Sequence, residues 1–279
     1  MTPVSVFSGK QVAVFGLGGS GLACGAALQA GGAQVIAFDD QAGGREAALK
    51  KGFAVRDLHD IDWKTLAALV LAPGVPLTHP KPHWTVDRAE EAGVEVIGDT
   101  ELFFREREAQ GSKARVVAIT GTNGKSTTTA LVGHVLRRAG RDTEVGGNIG
   151  TPALSLRALG RDGIYVLEMS SYQLELTVTL GFDVAVLLNI TADHLDRHGG
   201  MGGYIQAKRR IFDRHGKPQT AVIGVDDDHC RRIHADLVNQ GGYTIVPISS
   251  EIEIKGGVYA RDGMLIDDVE GAARPALDL

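Results

Sequence analysis

Apolar residues in this chain fall in short runs, separated by longer stretches in which polar residues predominate. "QVAVFG", residues 11–16, is one such run closed by glycine, and it reads as a buried strand. "SGLACGAALQAGG" then reads as a helix that stops at Gly31-Gly32, and "AQVIAFDD" as a second strand ending in acids. "REAALKKG" is a short helix, "ALVLAPGVP" a strand entering a Pro/Gly turn, "TVDRAEEAG" a helix and "VEVIGD" a strand. Strands alternating with helices predict a parallel sheet covered on both faces. This first unit is expected to span residues 1–104.

The polar stretch at 105–114, which carries a Gly-Ser, reads as a linker, the alternative being a helix tail inside one domain. A second alternating series follows over 115–279. Its members are "RVVAITG", the helix "KSTTTALVGHVLRRAG", "DTEVGGN", "GIYVLEMS", "DVAVLLNI", the helix "MGGYIQAKRRIFDRHG" and "TAVIGV". The pattern then changes. "GGYTIVPISS" and "GGVYARDGMLIDD" alternate apolar with polar, and Asp262-Gly263 is a hairpin signal, so a small antiparallel patch is expected there. The fold class is therefore α/β: a Rossmann-like parallel-sheet unit followed by a second α/β unit.

Composition excludes several classes. Net charge is −5, so no basic excess points to nucleic acid or an anionic membrane. Two distant cysteines, Cys24 and Cys230, give no disulfide framework and fit a reducing compartment. No apolar run approaches the ~18 residues that would span a bilayer, and the N-terminus lacks the apolar core of a signal peptide. A cytoplasmic protein is expected.

Two glycine-rich loops carry the candidate chemistry. "GLGGSG" places Gly16, Gly18 and Gly21 after a strand and before a helix, with Asp39 at the end of the next strand. That context fits a diphosphate held by backbone N–H groups at a helix N-terminus, with the acid meeting a ribose or a base. It does not distinguish a nicotinamide dinucleotide from a UDP-sugar. "GTNGKST", Gly121 to Thr127, resembles a Walker A loop but has Ile119 where that motif needs glycine. Backbone N–H groups of Thr122, Asn123, Gly124, Lys125 and Ser126 can still wrap a phosphate. Lys125 can reach its outer oxygens, and Ser126 can bind Mg²⁺.

Later strands of the second unit end in polar residues, where ligands of parallel sheets sit. Glu168 breaks one apolar run and can hold Mg²⁺. Asn189, Asp193 and His194 follow another, Asn148 lies in a glycine-rich turn, and Lys208 sits among basic residues on a helix. His194 and His198 are four apart, but "HLDRH" lacks the glutamate of a zinc-protease helix, so a zinc pair is not expected.

"GTNGKST", "GGNIGTP", "VLEMSSYQLE", "LNITADHLDRH" and "YIQAKRRIF" resemble the Mur ligases. The phosphate loop alone is shared with folylpolyglutamate synthases. Together with "GLGGSG", the segments "SSYQLE" and "DHLDRH" resemble the D-glutamate-adding branch. The resemblance covers nearly the whole chain and implies an ATP-dependent ligase of peptidoglycan precursor synthesis. Its substrates would be UDP-N-acetylmuramoyl-L-alanine, ATP and D-glutamate, with Mg²⁺. The first unit would hold the UDP part: Gly18, Gly19 and Ser20 at the diphosphate, Asp39 and Asp40 near the uracil, Ala72 and Gly74 in a second loop. Lys125 would hold the β/γ-phosphates, and Ser126 and Glu168 the Mg²⁺. Asn148, Ser170 and His194 would contact substrate and a second metal. Lys208 matches the lysine carbamylated in this family, so the expected metal set is Ser126, Glu168, His194 and Lys208. In the implied chemistry, the γ-phosphoryl passes to a substrate carboxylate, and the amine of D-glutamate displaces phosphate from the acyl phosphate.

There are departures. Asp40-Gln41 and Ala72 stand where the family more often has Thr or Ser with Arg, and Ser. Members of the family are also longer, so a third domain that binds D-glutamate is expected to be missing after "RPALDL". These residues alone are expected to be a monomer that does not ligate. Rival readings are another Mur-type ligase, a non-catalytic UDP-sugar-binding fragment, an NAD-dependent oxidoreductase resting on "GLGGSG", and a simple P-loop ATPase or kinase.

Overall fold

A computed structural model describes residues 1–179, 181–213 and 219–278. The first series forms β1 (Gln11–Phe15), α1 (Gly19–Ala30), β2 (Gln34–Phe38), α2 (Ala42–Lys50), β3 (Ala54–Val55), β4 (Leu66–Leu71), α3 (Trp84–Ala92) and β5 (Glu95–Ile97). The strands are all parallel, in the order β3-β2-β1-β4-β5. The order reverses between β1 and β4, so the loops leaving those two strands flank the crevice where ligands of such sheets bind.

The helix α4 (Asp99–Ala109) comes next. The stretch expected as a linker is thus helical as far as Ala109. Its apolar residues explain this: Leu102, Phe103 and Phe104 are buried in one core with Val116, Tyr165 and Phe182 of the second unit. Two carboxylates of α4 dock it further. Glu101 accepts from the N–H groups of Val178 and Thr179 at 2.7 Å, and Glu106 accepts from Ser5 N at 2.6 Å. Burial alone would raise the Glu101 pKa, but the Thr179 donors and Arg105 hold it below its ordinary value.

The second series forms β6 (Arg115–Thr120), α5 (Lys125–Arg138), β7 (Thr143–Gly147), β8 (Ile164–Glu168), α6 (Ser171–Glu175), β9 (Val184–Leu187) and α7 (Met201–Arg209). It continues with β10 (Gln219–Gly224), α8 (Asp228–Gln240), β11 (Tyr243–Ser249), β12 (Val258–Arg261), β13 (Met264–Asp267) and β14 (Arg274–Asp278). Among the described residues these strands make one sheet, ordered β14-β13-β12-β11-β10-β9-β6-β8-β7. β6 lies between β8 and β9, with Ile119 opposite Glu168 and Thr120 opposite Leu187. The second glycine-rich loop therefore leaves the sheet between the ends of those two strands. Beyond Phe212 the expected helix enters residues 214–216, which lie outside the described residues.

The antiparallel patch is smaller than expected. β12, β13 and β14 pair antiparallel, and Asp262 and Gly263 turn the hairpin at φ of +51° and +75°. β11, however, pairs parallel with both β10 and β12. For β10 and β11 the reason is α8, which the alternation does not show: a helical crossover returns the chain to the same sheet edge in the same direction. Only Cys230, Ile233 and Leu237 of α8 are buried, so its apolar stripe is thin.

Candidate functional site

The first glycine-rich loop is shaped by close packing. Gly16 has φ +88°, and a Cβ there would lie 2.6 Å from Ala72 Cβ. A Cβ on Gly21 would lie 1.9 Å from Gly16 O, so α1 can start this close to β1 only with glycine. Gly18 caps α1 and faces open space, leaving the first-turn N–H groups of Gly19 and Ser20 for a ligand. These residues line a cleft of about 460 Å³. Ala72 and Gly74 line its second wall, and Asn148 and Gln173 of the other unit close it. The expected residues Gly18, Gly19, Ser20, Ala72, Gly74 and Asn148 are thus brought together.

Asp39 and Asp40 are not in the lining of that cleft. Asp39 uses its oxygens inside the protein: Oδ2 accepts from Leu17 N at 2.6 Å and Oδ1 from Gln41 N at 2.8 Å. It orders the loop. Asp40 is exposed, and His83 Nε2 lies 3.1 Å from its Oδ2.

The second loop is tied to the end of β9. Thr122 N donates to Asn189 O and Asn123 N to Asn189 Oδ1, both at 2.9 Å, while Asn189 Nδ2 donates to Asn123 O. Gly124 caps α5 without a side-chain partner, so the N–H groups of Lys125, Ser126 and Thr127 lead into the loop mouth. Lys125 Nζ folds back on Thr122 O at 2.8 Å. Beside the loop opens a pocket of about 590 Å³ lined by Asn123, Thr128, Leu188, Asp226, Ser249 and Ile248, among others. The pattern reading did not single out Asp226 or Ser249.

Lys208 is 2% exposed, donates to Gly121 O at 2.7 Å and lies over the Tyr204 ring. Burial, with Lys125 nearby, lowers its pKa to about 7. Glu168 is also 2% exposed. Its Oε1 accepts from Asn148 Nδ2 at 2.7 Å, and its Oε2 is buried with no partner. A buried carboxylate oxygen left without a partner fits a cation held there.

His194 takes φ +49° and is half-exposed, its ring beside Tyr172 and Tyr204. His198 turns both ring nitrogens to other side chains. It is buried against Tyr172, with Glu175 Oε1 at 3.1 Å and Ser171 Oγ at 2.9 Å. Among the described residues no three His, Cys, Asp or Glu side chains converge to hold a metal unaided. Magnesium does not need such a set, since it keeps waters and shares substrate phosphates.

Ser170 caps α6 in a reciprocal box with Gln173: Gln173 N donates to Ser170 Oγ, and Ser170 N to Gln173 Oε1, each at 3.2 Å. Gln173 is a site residue that the pattern reading passed over, although Ser-x-x-Gln before an apolar residue is a readable signal.

Residues 119–260 match the model of the Mur ligase middle domain. A UDP-N-acetylmuramoylalanine--D-glutamate ligase of Caulobacter sp. (strain K31) is 57% identical over 269 residues, covering 96% of this chain and 57% of the relative. The enzyme of that name from Phenylobacterium zucineum (strain HLK1) is 53% identical, covering all of this chain and 60% of its own length. The chain thus spans less than two thirds of these curated relatives. Among solved structures, UDP-N-acetylmuramate:L-alanyl-gamma-D-glutamyl-meso-diaminopimelate ligase from Neisseria meningitides aligns with a TM-score of 0.59 at 17% identity. It covers 95% of this chain and 85% of that one, and this likeness concerns the fold alone.

Proposed function

Since this chain belongs to the Mur ligase family, we propose that it carries the UDP-substrate and ATP sites of a ligase adding D-glutamate to UDP-N-acetylmuramoyl-L-alanine, in peptidoglycan precursor synthesis in the cytoplasm. The observation that carries the reading is one continuous path. The cleft under the first glycine-rich loop reaches Asn148, Asn148 holds Glu168, and Glu168 ends the strand beside the second loop. Relatives of that name at 53–57% identity support the choice of substrates.

In this reading the diphosphate sits at the N-terminus of α1, with Gly18, Gly19 and Ser20 donating, and Ala72 and Gly74 form the opposite wall. The substrate then runs past Asn148 and Ser170, so its carboxylate lies near the γ-phosphate of ATP. N–H groups of residues 122–127 hold the ATP phosphates, and Lys125 swings from Thr122 O onto their outer oxygens. The pocket beside the loop receives the adenosine. Mg²⁺, when bound, neutralises charge between the phosphates and the substrate carboxylate, held by Glu168 Oε2 and Ser126. His194, beside Tyr172 and Tyr204, would contact the substrate or a second cation. Lys208, with its lowered pKa, supplies a free amine near neutral pH, the form that reacts with carbon dioxide. As a carbamate it would turn from cation to anion and join the metal's surroundings.

Calorimetric titration with UDP-N-acetylmuramoyl-L-alanine, with NAD as control, tests the reading. Binding of the UDP compound and not of NAD is expected. Binding of NAD alone would return the first loop to dinucleotide chemistry and refute the assignment.

A further inference from the structure

The segment 189–200, between β9 and α7, meets both candidate phosphate sites. At its start it holds the second glycine-rich loop. Besides the Asn189 bonds described above, Thr191 N donates to Thr122 Oγ1 at 3.0 Å, and the Thr122 hydroxyl donates to Thr191 O at 3.1 Å. At its far end the segment reaches the first unit. Arg197 Nη1 donates at 3.0 Å to Gly74 O, in the second wall of the substrate cleft. Two residues on, a Cβ on Gly199 would lie 2.5 Å from His79 Nε2, so this turn lies directly against the stretch 74–79. Arg197 N donates to His194 O at 3.0 Å, so the same turn carries His194.

The guanidinium carbon of Arg197 lies 4.9 Å from the centre of the Tyr172 ring, and among the described residues its buried Nε has no partner. The Gly74 carbonyl and the Tyr172 ring are therefore what orient this cation. The segment has little slack between its two ends. Ile190 and His198 are buried, Ile190 N donates to Asp227 Oδ2 at 3.0 Å, and His198 stacks on Tyr172. A displacement of the Gly74 wall is thus carried towards Thr191 and the second loop. The wall does not need Arg197 for its own shape: Ala72 N donates to Phe15 O and Val75 N to Ala72 O, both at 2.9 Å.

We propose that Arg197 is a positioning residue that ties the wall of the substrate cleft to the ATP loop, so that filling either site favours filling the other. It touches neither ligand. This rests on the reading above, in which the substrate diphosphate sits against Ala72 and Gly74 and the ATP phosphates sit in the second loop.

A two-ligand binding cycle on the chain tests this. UDP fills the cleft and Mg·ADP the second loop; in this reading the two do not meet, so coupling between them passes through the protein. Saturating UDP is expected to tighten Mg·ADP about fivefold, and Mg·ADP to tighten UDP by the same factor. In Arg197→Met each ligand alone should bind within about twofold of the unaltered chain, while the coupling factor falls below about twofold. Arg197→Lys, which restores a cation and a donor, should recover part of the factor. A residue that only supports the fold would lower the melting temperature and weaken each ligand singly, leaving the factor as it was. That result, or the absence of coupling in the unaltered chain, overturns the proposal. Should Arg197→Met not fold, His79→Ala loosens the same contact from the first unit and should lower the factor; an unchanged factor there overturns the proposal equally. If the unaltered chain fails to bind either ligand, the substrate reading itself fails, and the proposal falls with it.

Discussion

Replacing Glu168 by Gln should act in opposite directions with and without ligand. In the free protein Oε1 is satisfied by Asn148 and Oε2 is buried without a partner. An unsatisfied buried polar atom costs about 1–3 kcal/mol, and more if it is charged. Gln keeps the volume and the Asn148 bond while removing the charge, so part of that cost is relieved. A gain of about 1 kcal/mol is expected, or about 2 °C in melting temperature for a chain of this size. With Mg²⁺ and nucleotide the sign reverses, because an amide nitrogen at the Oε2 position cannot ligate a cation. Ligand at a hundredfold excess over its Kd stabilises the unaltered protein by about 2.7 kcal/mol. A variant binding a hundredfold more weakly retains only about 0.4 kcal/mol of that. Thermal denaturation with and without Mg²⁺ and ADP reads both numbers. A variant that melts lower than the parent without ligand, yet keeps the full ligand shift, would refute a cation role for Oε2.

Lys125→Ala should abolish nucleotide binding, a loss of at least a hundredfold, while leaving UDP affinity unchanged; loss of both in paired titrations would mean that the two loops form one site. For Lys208, the native pKa of about 7 lies below the unfolded value of 10.5, so the unfolded chain binds the extra proton between those limits. Stability should therefore rise with pH from 7 towards 10.5, and the cost of the buried ammonium is fully present below 7. Lys208→Met should flatten that rise and stabilise the chain at pH 6 by about 1–3 kcal/mol in denaturant melts; an unchanged slope would assign the pH dependence to other groups. His198→Ala should destabilise by about 2–4 kcal/mol through a cavity and two lost partners, with no change in zinc affinity. A zinc-dependent shift in melting that vanishes in this variant would revive the metal reading.

Much of this architecture was legible because it is local. Strand–helix alternation marks the parallel parts of both sheets, and glycines packed within a few residues of each other mark both glycine-rich loops. What escaped is set by distant contacts or by thin patterns. α8 buries only Cys230, Ile233 and Leu237, so its polar composition hid it, and without it β11 read as antiparallel. Residues 105–109 are polar on the page but helical in the fold, because α4 is held by cores and donors on both sides. The position of Asp39 after β2 suggests a ligand contact, and no spacing shows that its oxygens also accept from the loop's own N–H groups. Asp99 and Gln173 meet across 74 residues, a pairing that no spacing rule reveals.

The docking of α4 has a thermodynamic consequence. Its buried apolar face belongs to a core shared by both sheets, and its glutamates satisfy backbone N–H groups near residue 5 and near residue 178. Neither sheet can lose its order without stripping partners from the other. The two should therefore melt in one cooperative transition, with the calorimetric and van't Hoff enthalpies in agreement. Acid should weaken that cooperativity at Glu101. Its lowered pKa contributes stability that is present above its unfolded value and disappears as pH falls through the folded one. In hydrogen exchange, the amides of Val178 and Thr179 would then report the sheets parting.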